Sequence, residues 1–184
     1  MEMKINIKHT IESDTSTDEC INLLLKDRGV DDIDGFLTPP HPTSIALSTF
    51  FTEKPSFKKD WSVFVKKLQQ IHSNGEMIVV YTDYDADGVT GGAVMWETLH
   101  KLGFKVMPYI PDRKKEGYGF SEFGLAHVKK EFNPTLVISV DHGIVAHKQI
   151  AYAKNELGLS VVVTDHHQKQ KKEPEDALAV FHTT

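Results

Sequence analysis

A single cysteine, Cys20, occurs in the 184 residues, so no intrachain disulfide can form and a thiolate metal site is excluded. No apolar run reaches the length of a membrane span. The longest, near Met77–Tyr81 and Val161–Val163, are strand-sized. The opening Met1-Glu2-Met3-Lys4-Ile5 lacks the long apolar core of a secretory signal, and the chain reads as cytoplasmic, without a membrane partner. There is no basic excess either: 21 Lys and Arg against 26 Asp and Glu give a formal net charge of −5. That balance argues weakly against a simple nucleic-acid-binding module. Distribution matters more than the sum, because carboxylates gathered on bound metals are neutralised there. The basic clusters Arg113-Lys114-Lys115 and Lys169 to Lys172 could then meet a phosphate backbone. No G-x-G-x-x-G follows the first core strand, which disfavours dinucleotide binding.

The length suits one full α/β domain with a small extra segment. Residues 1–55 read as an N-terminal arm or cap. They offer one helix, Asp18 to Arg28, and then a stretch from Gly29 to Pro40 whose Gly and paired Pro forbid long regular structure. Residues 56–184 read as the catalytic domain. Ser56 to Asn74 places Trp61, Phe64, Val65, Leu68 and Ile71 at helical spacing and stops at Gly75. Strands follow at Glu76–Tyr81, Lys105–Ile110, Thr135–Val140 and Ser160–Thr164, with a short one at Leu178–Phe181. The intervening helices are Thr90 to Leu102, Ser121 to Phe132 with Ser121 as N-cap, and Ala146 to Leu157. Continuous apolar strands alternating with helices predict a mainly parallel sheet flanked by helices.

The acidic residues fall at the ends of these strands. The first strand runs into Asp83-Tyr84-Asp85-Ala86-Asp87-Gly88, the third into Asp141-His142-Gly143, and the fourth into Asp165-His166-His167. In a parallel sheet those ends share one edge, where open α/β folds place their ligands. Carboxylates crowded into a partly buried site repel one another, so either their pKa values rise or cations neutralise them. Oxygen-rich ligation with one or two imidazoles suits Mn²⁺ or Mg²⁺ ahead of Zn²⁺ or Co²⁺, and a carboxylate such as Asp141 can bridge two ions. Two such ions can orient a water and stabilise a phosphoryl transition state. Gly88, Gly91 and Gly92 fall at a strand-to-helix turn whose N–H groups can donate to a phosphate, and Gly143 plays a similar part after Asp141. A lone Asp at a strand end is commonly only a helix cap; three together, each followed by Gly or His, make that reading the minority one. Asp165 reads as a hydrogen-bonding partner behind the ligands, and Tyr84 and Ala86 as packing.

These three segments resemble the first three motifs of the DHH phosphoesterases. Tyr109-Ile110-Pro111-Asp112-Arg113, Glu116-Gly117-Tyr118-Gly119 and Asp34-Gly35-Phe36-Leu37-Thr38-Pro39 are similar to the RecJ-like branch, exonucleases that degrade single-stranded DNA from the 5′ end. The resemblance implies a Rossmann-like DHH N-terminal domain binding two divalent cations, Mn²⁺ or Mg²⁺. It makes Asp85, Asp87, Asp141 and His166 metal ligands, and Asp83 a ligand or a residue just outside the ligand shell. His167 would touch the scissile phosphate or assist the leaving group, with Asp141 sharing the catalytic role, and Arg113 would hold a substrate phosphate. His142 falls where family members vary, and His100, His127 and His147 read as surface or packing residues.

The family also has a fourth motif with another metal-binding Asp and a DHH-associated substrate-binding domain. Both lie beyond Phe181-His182-Thr183-Thr184, so the expectation is a fragment whose missing C-terminal portion, or a partner chain, supplies them. The implied function is metal-dependent phosphodiester hydrolysis on single-stranded nucleic acid, DNA before RNA. Two rivals are a DHH phosphoesterase for short oligonucleotides, cyclic-dinucleotide products or pyrophosphate, and a non-catalytic scaffold of the same fold.

Overall fold

The computed structural model describes residues 7–182; the opening Met1–Ile5 segment and Thr183-Thr184, both read above from sequence, lie outside it. The chain divides into two compact units, residues 1–49 and 50–184. The division falls ahead of the expected 55/56 boundary and inside a helix, α3 (Leu47–Glu53), that the sequence reading does not contain.

In the first unit, helix α1 (Thr17–Asp27) starts on a capping box. The Ser16 hydroxyl accepts the Glu19 N–H at 3.2 Å and the Glu19 carboxylate accepts the Ser16 N–H at 2.8 Å. A single turn, α2 (Ile33–Leu37), is capped by Asp32. Neither helix contains a buried residue.

The second unit is a five-stranded, wholly parallel sheet: β1 (Met77–Thr82), β2 (Lys105–Tyr109), β3 (Leu136–Val140), β4 (Ser160–Asp165) and β5 (Ala179–His182), ordered β2-β1-β3-β4-β5. Helices α4 (Pro55–Asn74), α5 (Ala86–Lys101), α6 (Glu122–Phe132) and α7 (His147–Asn155) cover it. Because side chains alternate along a strand, the sheet feeds two cores. Ile78, Val80, Leu136, Ile138 and Val162 face Phe64 and Ile71 of α4 and Leu99 of α5. Val79, Tyr81, Val137, Val161 and Val163 face Leu125 and Val128 of α6 and Ile150 of α7. The central strands β1, β3 and β4 are buried on both faces, as their uninterrupted apolar runs require, while the edge strand β2 is largely exposed.

The strand order positions the site. From β1 the chain moves outward through α5 to β2, then returns through α6 on the opposite face to lay β3 along the other side of β1. The carboxyl ends of β1 and β3 therefore flank a topological switch point, the crevice where open α/β sheets bind ligands.

Helix α5 begins at Ala86, not Thr90. Asp85 caps it by accepting the Gly88 N–H at 3.1 Å, and Asp87 lies in its first turn, where negative charge complements the helix dipole. Half of the acidic motif is thus helical.

Candidate metal centre

Asp83 follows β1 directly and is 1% exposed; its Oδ1 accepts the Tyr84 N–H at 2.7 Å. Burial, with the neighbouring Asp85 adding to it, raises its carboxyl pKa. Asp85, two residues on and exposed, is held below the usual carboxylate range by the Gly88 N–H it accepts.

Asp141 follows β3 in the left-handed region, at φ 67°, a conformation that L-residues other than Asn and Asp seldom adopt. Its Oδ1 lies 2.9 Å from Nε2 of His166, whereas its Oδ2 is buried with no hydrogen-bond partner. Burial, and then the charge of Asp85, push its pKa up.

Asp165, the last residue of β4, is fully subscribed. Its Oδ1 accepts the N–H groups of His166 at 2.7 Å and His167 at 3.0 Å together with Nδ1 of His167 at 2.8 Å; its Oδ2 accepts the Ile144 N–H at 2.9 Å. Burial alone would raise this carboxyl, but the hydrogen bonds outweigh it and its pKa falls. The bond from Asp165 in turn raises the pKa of His167 and leaves Nε2 as the outward nitrogen of that ring.

Oxygen atoms of Asp83, Asp85 and Asp141 all lie within 4.8 Å of one another, as do donor atoms of Asp141, His166 and His167. The two groups share Asp141, so one carboxylate could serve both. The buried, unpartnered Asp141 Oδ2 is the sharper sign, since an anionic oxygen without a donor is costly unless a cation meets it. Hard oxygens with imidazole fit Mn²⁺ or Mg²⁺. Asp87 belongs to neither group. It lines a cavity of about 520 Å³ beside Asp141, Asp165, His166, Phe57 and Phe181.

The sequence matches the DHH family, N-terminal domain, over residues 77–184. The chain belongs to the DHH family. It is 47% identical over 116 residues to the single-stranded-DNA-specific exonuclease RecJ of Bacillus subtilis, covering 63% of this chain and 14% of that protein. It is 39% identical over 108 residues to the RecJ of Thermus thermophilus, covering 58% and 16%. The chain thus spans about a seventh of the length of these curated relatives. Among solved structures, an exonuclease RecJ bound to manganese matches at TM-score 0.57 and 38% identity, covering 64% of this chain and 29% of that one. RecJ from Thermus thermophilus in complex with Mn²⁺ matches at TM-score 0.59 and 30% identity, covering 87% and 20%.

Other residues of the DHH motifs take parts that the sequence reading does not give them. The Gly88 N–H, expected to face a phosphate, is already donated to Asp85, and a Cβ at Gly88 would come 2.6 Å from the Asp83 carbonyl oxygen. Gly91 and Gly92 lie within α5, not at a turn, and let the helix approach Val140 and Thr82. Gly143 is buried at φ 112°, and a Cβ there would meet the Ser139 hydroxyl at 2.9 Å, so close packing requires it whatever its part toward phosphate. His142 is 1% exposed, its ring edge-on to Phe120 at 4.6 Å and to Tyr81 at 5.3 Å. His100 stacks on Trp96, and His127 pairs with Glu131.

Tyr84 does more than pack inward. The Arg113 guanidinium lies over its ring, 5.1 Å from the centroid, and Tyr118 meets it edge-on at 6.3 Å. Tyr118 is not among the site residues expected from the sequence. Its hydroxyl is 3.4 Å from Nε2 of His167, and partial burial with the field of Asp83, Asp165, Asp141 and Asp85 pushes its phenol up to about 12. The available signal was a tyrosine set between two glycines, Gly117 and Gly119, both at positive φ.

Proposed function

We propose that this chain carries the metal centre of a RecJ-like exonuclease that hydrolyses phosphodiesters of single-stranded DNA. The observation supporting it most is the meeting of Asp83, Asp85, Asp141 and His166 at the switch point, with Asp141 Oδ2 buried and unpartnered. Asp83, Asp85, Asp141 and His166 would hold two divalent cations, Mn²⁺ or Mg²⁺, with Asp87 a further carboxylate bordering the same cavity. When bound, such cations supply charge neutralisation at the phosphoryl oxygens and acidify a water for in-line attack.

The chain's own side chains do the rest. Asp165 fixes the His167 ring through Nδ1 and keeps it basic, so Nε2 can bond a non-bridging phosphate oxygen or deliver a proton to the departing oxygen. Arg113, spread over Tyr84, offers a planar fork to a neighbouring phosphate. Tyr84 and Tyr118 give aromatic surface beside it, the pairing of cation and ring that single strands use without sequence preference. The remainder of the substrate cleft would come from a C-terminal portion or partner chain, and the working compartment would be the cytoplasm. Among the described residues no helix is long and apolar enough to cross a membrane.

The test is Mn²⁺-dependent cleavage of 5′-labelled single-stranded DNA, run against a dinucleotide and against the D141A variant. Cleavage of the long strand that needs Mn²⁺ and Asp141 is expected. Preference for the dinucleotide would move the reading to a short-oligonucleotide phosphoesterase. Cleavage that survives D141A would contradict it.

A further inference from the structure

His182, the last residue of β5, is 1% exposed yet polar. It pairs in register with Asp165 across the β4–β5 ladder, which sets it beside the loop carrying His166 and His167. Its Nε2 lies 2.6 Å from the backbone carbonyl oxygen of His167. A carbonyl only accepts, so Nε2 must carry the proton. His182 thus holds the loop at a second point besides Asp165, which takes the backbone N–H groups of both histidines.

The grip is anchored. The His182 carbonyl accepts from Lys54 Nζ at 2.8 Å, next to the start of α4. One turn into α4, Asp60 accepts the Val180 N–H at 3.3 Å. Between these two contacts Phe181 packs edge-on against Phe57 and Phe64, each at 5.7 Å, and Trp61 at 6.3 Å. β5 is therefore held to α4 by two polar contacts and an aromatic cluster, and cannot drift with the loop.

We infer that His182 is a positioning residue: its hydrogen bond to the His167 carbonyl fixes the His166–His167 loop so that both imidazoles face Asp141. Only the cation readout of this inference rests on the function proposed above. Without the bond, the loop keeps its Asp165 contacts but loses its second fixed point. His166 Nε2 can then leave Asp141 Oδ1, and the donor atoms no longer stand ready for an ion. Partners behind metal-bound histidines commonly alter affinity by about 10–100-fold.

The experiment uses the ¹⁵N-labelled 184-residue chain as wild type, His182→Ala and His182→Gln, glutamine keeping an N–H donor at similar reach. Without metal, the backbone and ring ¹⁵N resonances of His166 and His167 are recorded; Mn²⁺ is then titrated by calorimetry. H182A is expected to shift or broaden those resonances and to weaken Mn²⁺ binding about tenfold or more, while H182Q recovers most of both. Spectra and affinity unchanged in H182A would overturn the inference. So would H182Q behaving like H182A, which would mean that packing and not the donor matters. If H182A does not fold, Lys54→Met should displace the same resonances more weakly, and unchanged spectra there count against it. A wild type that takes up no Mn²⁺ contradicts the proposed function, while the metal-free spectra still decide the role of His182.

Discussion

Nε2 of His166 stands 2.9 Å from Oδ1 of Asp141, two residues that follow different strands and are separated by most of a β-α-β unit. The contact depends on β3 and β4 being parallel neighbours in register, Val140 opposite Thr164. Substituting Asp141 by Asn keeps its shape but removes the charge that draws both imidazoles inward. D141N is expected to lower the pKa of His167, because Asp141 contributes to raising it. ¹⁵N-detected titration of the metal-free chain measures this, and an unchanged His167 pKa contradicts the arrangement.

Asp165→Asn is expected to act more strongly and on stability as well. Four hydrogen bonds converge on this buried carboxylate, and an amide cannot accept them all. The loss should be on the order of 2–4 kcal/mol in chemical unfolding, as for other broken buried charge networks. The sign with pH follows from its lowered pKa. The contribution is fully present above the unfolded carboxyl value near 3.8 and disappears as pH falls through the lower folded value. D165N should therefore be closest to wild type in strong acid and furthest from it at neutral pH.

How far the site was legible in the sequence is clear from particular residues. Uninterrupted Val and Ile runs stopped by Asp or Gly located β1, β3 and β4 and put Asp83, Asp141 and Asp165 at their ends, because a strand covered on both faces leaves no other pattern. The start of α5 at Ala86 was not legible: Gly88 and Asp87 have low helix propensity, and only the Asp85 cap and close approach to the strand decide otherwise. His182 was invisible for a different reason. Its partner is a backbone carbonyl 15 positions back, and sequence records side chains only. Arg113 was legible as a candidate, but its contact with Tyr84 was not, because that closeness needs the β1–β2 pairing to be known.

Gly88→Ala tests the close approach directly. On an open helix face this change adds about 1 kcal/mol of helix propensity. Here the new methyl would meet the Asp83 backbone at 2.6–2.8 Å, and backbone cannot swing aside as a side chain can. The variant should be less stable by about 1–3 kcal/mol, the usual cost of overpacking, read as a lower urea midpoint with an unchanged slope. A stabilised variant would contradict the packing described.

His142 predicts a pH effect of opposite origin. Its Nε2 donates to the Tyr81 carbonyl at 3.0 Å, while Nδ1 is buried without a partner, so a second proton would have nothing to bond. Burial pushes the ring from its usual value near 6.5 down to about 4. Between those values the unfolded chain binds more protons than the folded one, so stability falls as pH falls. The slope approaches about 1.4 kcal/mol per pH unit. Wild type should lose more stability than H142Q between pH 6.5 and 4; parallel profiles would contradict this.

Arg113→Ala addresses the nucleic-acid reading. If its guanidinium neutralises one phosphate, single-strand affinity should fall uniformly across sequences, and the slope of log affinity against log salt should shrink by about 0.7. Fluorescence anisotropy with two unrelated oligonucleotides measures both. An unchanged salt slope removes Arg113 from the phosphate path.

The most direct measurement is Mn²⁺ uptake followed by the loss of the free-ion electron paramagnetic resonance signal, comparing the wild-type chain with D141A. Saturable, stoichiometric uptake by the wild type and its collapse in D141A, with the fold retained, are expected. No saturable uptake, or equal uptake by D141A, would contradict a cation centre built on Asp141.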